Sequence, residues 1–77
     1  MSAFKLYPNR DATTLDTVRA AALMAAYVGE CHMYNHLELA RNGVGNSCTF
    51  YAHSEELLNL RAGLLAINSP YQVMQEG

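Results

Sequence analysis

The chain has 77 residues, of which 51% are hydrophobic and 16% charged, with a formal net charge of -2. That length gives one small domain, 1–77, whose core alone is only marginally sufficient, so a second copy is the simplest way to cover so much apolar surface with so few charges. The mild acidity (pI ≈ 5.8) argues against a nucleic-acid partner bound by phosphate neutralisation, and is too weak for a mimic of DNA.

The first element is a short strand over Ala3 to Tyr7, stopped by Pro8. Asp11, Thr13 and Thr14 then offer helix N-caps, with Asp16 placed as the reciprocal residue of a capping box. The spacing from Leu15 to Arg41 predicts one long alanine-rich helix, closed by Asn42-Gly43-Val44 as a C-terminal cap. At 100° per residue Val18, Ala21, Ala22, Ala25, Val28 and Gly29 share one smooth stripe, which predicts a close-packed oligomer interface. A helix of ~28 residues is about 42 Å long, more than a ~30 Å domain can cover. Either it breaks near Gly29 or Asn35, or a second copy covers it, and the unbroken helix in a dimer or larger ring is the reading adopted.

Within that stripe His32 and His36 are four residues apart and could chelate a transition metal, with His53, Cys48 or a second subunit as third ligand. The pattern is weak, and hydrogen-bonded neutral histidines in an interface are the plainer expectation. Tyr27 and Tyr34 share the flank of the same helix with Arg19, Glu30 and Arg41. Ser47 to His53 reads as a strand, Cys48, Phe50 and Ala52 facing one way and Thr49, Tyr51 and His53 the other. Ser54 is the expected cap of a second, shorter helix, Glu55 to Ile67, ended by Asn68-Ser69-Pro70. Residues 71–77 are expected to form a mobile tail.

On the second helix Arg61 projects from the middle of a broad leucine face, where a guanidinium needs an acidic side chain, a helix C-terminus or a bound anion. Glu30 or Glu38 could supply the first. A tyrosine beside it, Tyr27, Tyr34 or Tyr51, would complete a ligand-binding site for a small anion such as a nucleotide.

The expected fold class is α+β: one long helix, a short second helix and one or two short strands, packed as a homo-oligomer, with an all-α hairpin-like dimer as the alternative. No catalytic signature is present: no nucleophile elbow, no phosphate loop preceded by a strand, no CxxC. The expectation is therefore a non-enzymatic binding or inhibitor protein without a cofactor, engaging itself and a protein target or small anionic ligand. Short acidic chains without motifs of this kind include phage-encoded accessory and anti-defence proteins. The alternatives are a protein that sequesters an anionic ligand, and a metal-responsive regulator using His32 and His36. No segment approaches the ~20 apolar residues of a membrane span. Cys31 and Cys48 read as thiols in a reducing, cytoplasmic compartment.

Overall fold

The computed structural model describes residues 2–28 and 47–75. In chain order these form β1 (Ser2–Pro8), α1 (Thr14–Tyr27), β2 (Cys48–Ala52), α2 (Ser54–Ala66) and β3 (Tyr71–Gln75). β1 is the centre of a three-stranded sheet of order β2-β1-β3, antiparallel on both sides. Phe4 pairs with Phe50 on one flank, and Leu6 with Val73 on the other.

The pleat sorts these strands. Phe4 and Leu6 of β1, Phe50 and Ala52 of β2 and Tyr71 of β3 are buried on the inner face, with Val73 packed against them. The Phe4 and Phe50 rings lie tilted with centroids 5.9 Å apart, within the separation at which aromatic pairs attract. Both helices cover this face. α1 contributes Thr17, Ala20, Ala21 and Met24, and α2 contributes Leu57, Leu60 and Leu64. Gly63 marks their approach. A methyl group there would meet Leu23 at 3.0 Å and Tyr27 at 3.3 Å.

The helix starts are fixed locally. Thr13 caps α1 in the expected reciprocal box: its Oγ1 accepts the Asp16 N–H at 3.1 Å, and Asp16 Oδ2 accepts the Thr13 N–H at 2.9 Å. At α2 the cap falls one residue earlier than expected, on His53, whose N–H donates to Glu56 Oε1 at 2.9 Å.

The fold-class expectation is corrected in two places. The single long helix does not form, because α1 ends at Tyr27. Val28 is extended (φ -107°, ψ 98°), its N–H still closing on the Met24 carbonyl at 2.9 Å. The reason is length. Fourteen helical residues span about 21 Å, matching the sheet beneath, and Val28 turns its side chain into the core rather than prolonging the helix. The second correction is the segment read as a mobile tail: Tyr71–Gln75 is the third strand, paired along β1 from Pro8↔Tyr71 to Phe4↔Gln75. With three strands the all-α alternative falls as well. Gly29, His32, Tyr34, His36 and the expected cap at Asn42-Gly43-Val44 lie outside the described residues.

Candidate anion-binding cleft

The sequence at the end of α2 shapes a turn with a specific polar outline. Asn68 adopts a left-handed conformation (φ 52°), its N–H bonding the Leu65 carbonyl at 3.0 Å while the Ser69 N–H reaches that of Leu64 at 2.9 Å. These two bonds are a Schellman closure with asparagine in the position usually taken by glycine. Ser69 Oγ then accepts the Tyr71 N–H at 3.1 Å, launching β3. The Asn9 N–H donates to the Pro70 carbonyl at 3.0 Å, which brings the residue after it, Arg10, to the same place.

A cleft of about 390 Å³ opens beside this turn. Its apolar lining is Leu64, Leu65, Tyr71 and Val73, and its polar lining is Asn68, Ser69, Gln72, Arg10 and Arg61. Arg10 Nη2 donates to the Asn68 carbonyl at 2.9 Å, and Arg61 Nη2 to the Val73 carbonyl at 3.1 Å. Each guanidinium offers five N–H groups in a planar fork, so one fixed bond leaves most of the donor set available. Among the described residues neither arginine forms a salt bridge, and no aspartate or glutamate lines the cleft. The C-terminal dipole of α2 places partial negative charge nearby, which the bond from Arg10 to Asn68 offsets. Arg10 also acts at a distance on Asp16. That carboxyl is held below the ordinary aspartate range, first by the Thr13 backbone N–H, further by the Thr13 hydroxyl, and then by the fields of Arg10 and Arg19.

Arg61 is in the cleft, but not as expected from the leucine pattern. The buried stripe of α2 is Leu57, Leu60 and Leu64, while Leu58 and Leu65 are exposed at 68% and 82%. Arg61 therefore flanks the core face instead of interrupting it, and bonds a strand carbonyl rather than a carboxylate; Glu30 and Glu38 lie outside the described residues. The proposed tyrosine partners are elsewhere. Tyr27 packs at the α1–α2 approach by Gly63, and Tyr51 stands exposed on the outer sheet face opposite Ala3. Tyr34 lies outside the described residues. The cleft's tyrosine is Tyr71, whose hydroxyl turns away to Thr17 at 2.8 Å. Arg10, Asn68 and Tyr71 escaped sequence reasoning, since their meeting depends on β3 pairing with β1 from opposite chain ends.

The expected interface stripe divides. Ala21 and Val28 are buried in the chain's own core, whereas Val18, Ala22 and Ala25 are exposed on the outer side of α1, with Leu15 beside them. Among the described residues no group of three His, Cys, Asp or Glu is placed to hold a metal ion, and no helix is long and apolar enough to cross a membrane.

Comparison with protein-family models, with curated proteins and with solved structures finds no match for this chain.

Proposed function

We propose that the chain is a small, non-enzymatic binding protein whose Arg10–Arg61 cleft takes up an anionic group of a ligand or target. One observation carries this reading: two guanidiniums are each pinned by a single backbone carbonyl on one cleft that, among the described residues, no carboxylate lines. A guanidinium fork matches carboxylate and phosphate oxygens two at a time, and Leu64, Tyr71 and Val73 give the cleft an apolar floor beside that contact. The two guanidiniums can only donate hydrogen bonds, and none of the described lining groups is arranged as a nucleophile with a base, so holding rather than converting the ligand is the role they fit. Self-association through the exposed Leu15, Val18, Ala22 and Ala25 face belongs to the same reading, as does a cytoplasmic setting. In that role the protein acts by occupying a target or withholding a ligand, the mode of an inhibitor or accessory protein.

Isothermal titration with pyrophosphate and with ADP tests the cleft. Wild type is expected to bind at low salt, with affinity falling about tenfold or more in Arg10→Gln and in Arg61→Gln. No heat from either ligand or from an acidic peptide would remove this function.

A further inference from the structure

β3 is an edge strand of the sheet, with no strand beyond it among the described residues. The bond from Asn9 N–H to the Pro70 carbonyl sets the parity of the β1–β3 ladder. Asn9/Pro70, Tyr7/Gln72 and Lys5/Met74 are then the hydrogen-bonded pairs, and the peptide groups of Tyr71, Val73 and Gln75 point away from β1. Two bonds agree with that assignment. Ser69 Oγ takes the outward Tyr71 N–H, and Arg61 takes the outward Val73 carbonyl. The Val73 N–H has no partner among the described residues.

Above this edge α2 presents Leu58, Arg61 and Leu65, spaced i, i+3 and i+7 on one side of the helix, with both leucines largely exposed. A sheet edge that presents free backbone groups recruits strands, and natural folds shield such edges with a cation. Arg61 is such a shield, and it is removable, because a carboxylate is a stronger partner for a guanidinium than a peptide carbonyl.

The geometry points to the occupant: an extended segment of a partner protein with the pattern apolar-x-acidic-x-apolar, added as a fourth strand on β3. This rests on the cleft reading above and names its ligand class. Alternate residues of a strand share a face. Five residues therefore lay an apolar, an acidic and an apolar side chain along the Leu58–Arg61–Leu65 row, spanning about 13 Å against about 10 Å on the helix. The acidic side chain takes Arg61, which frees the Val73 carbonyl for the incoming backbone. Arg10, on the same cleft, receives a further carboxylate at the flank. A second copy of this chain fits less well, since pairing β3 with β3 about a two-fold axis sets Arg61 against the Arg61 of the copy.

The test uses fluorescein-labelled, amidated peptides Thr-Leu-Thr-Glu-Thr-Leu-Thr and Thr-Leu-Thr-Lys-Thr-Leu-Thr, titrated into the full chain and followed by anisotropy. The glutamate peptide is expected to bind about tenfold or more tightly than the lysine peptide, and Arg61→Gln is expected to erase the difference. Val73→Pro removes the outward N–H from an edge position that tolerates proline, and should abolish binding. In wild type, saturating glutamate peptide should slow amide exchange at Val73, a readout that stands even if Val73→Pro does not fold. Equal binding of both peptides, binding retained by Val73→Pro, or no slowing at Val73 would overturn the inference. So would slow exchange at Val73 that depends on protein concentration without peptide, which identifies a second copy at the edge. If pyrophosphate binds through Arg10 and Arg61 while neither peptide does, the strand-addition inference fails and the anion cleft stands. If no probe binds, both fail.

Discussion

The hydroxyls of Thr17 and Tyr71 meet at 2.8 Å inside the core, joining the first helix to the last strand across 54 residues of sequence. Thr17 Oγ1 also donates to the Thr13 carbonyl at 3.1 Å, so its only proton is committed and Tyr71 must be the donor to Thr17. The pair is asymmetric in consequence. Tyr71→Phe leaves the Thr17 hydroxyl its bond to Thr13 and should cost about 0.5–1.5 kcal/mol. Thr17→Val strands a phenol hydroxyl on a residue only 2% exposed, and should cost about 1–3 kcal/mol. Urea unfolding of both single variants and the double variant checks this, with the double expected to lose less than the sum of the singles. Additive losses would mean that the two hydroxyls do not interact.

The capping box of α1 gives a pH-dependent contribution with a definite sign. Asp16 has its carboxyl pKa lowered chiefly by the Thr13 backbone N–H. A carboxyl whose pKa falls on folding stabilises the fold above its unfolded value of about 3.9, and that contribution is lost as pH drops through the lowered folded value. Asp16→Asn keeps the shape and removes the charge. The stability gap between wild type and this variant should be flat from pH 7 to about 5 and close below about pH 4. A gap that widens on acidification would contradict the assignment.

How much of this was legible beforehand depends on how local each signal is. Thr13 with Asp16, the alternation of Phe50 and Ala52, and the stop at Asn68-Ser69-Pro70 are all contained within a few residues, and all recur in the structure. The length of the first helix was not local. Alanines at Ala20, Ala21, Ala22, Ala25 and Ala26 satisfy a helix whatever it packs on, and only the sheet beneath sets where the helix ends, at Tyr27. β3 was missed for a related reason. Five residues with glutamine at Gln72 and Gln75 carry little strand signal of their own, and become a strand because β1 offers a ladder. Arg61 was singled out from a leucine pattern that the structure divides, and both the carbonyl it bonds and its cleft companion Arg10 depend on that strand.

The division of the small-residue stripe makes self-association separable from folding. Ala25 is exposed on α1, whereas Ala21 is only 6% exposed in the core. Ala25→Glu should fold with a melting temperature near that of wild type and shift sedimentation from dimer to monomer at micromolar concentration. Ala21→Glu should not fold, because an unpaired carboxylate in the core costs several kcal/mol, on the order of the whole stability of a small domain. A wild type already monomeric by analytical ultracentrifugation would end the self-association part of the proposal.

Asn68 links the stability of the fold to the shape of the cleft. Its φ of 52° is sterically open to glycine, tolerated by asparagine and poor for a β-branched residue. Asn68→Gly should therefore be neutral or stabilising by up to about 1 kcal/mol. Asn68→Val should cost about 2 kcal/mol by straining the same backbone position. The carbonyl that holds Arg10 belongs to this residue, and the turn it makes sets where β3 begins. Ligand binding should accordingly survive Asn68→Gly, which keeps the turn, and weaken in Asn68→Val even below its unfolding temperature, where the turn must open to relieve the strain. Thermal unfolding and pyrophosphate titration on the two variants separate the effects. If the valine variant unfolds and binds as the glycine variant does, the left-handed turn is not what positions the Arg10 side of the cleft.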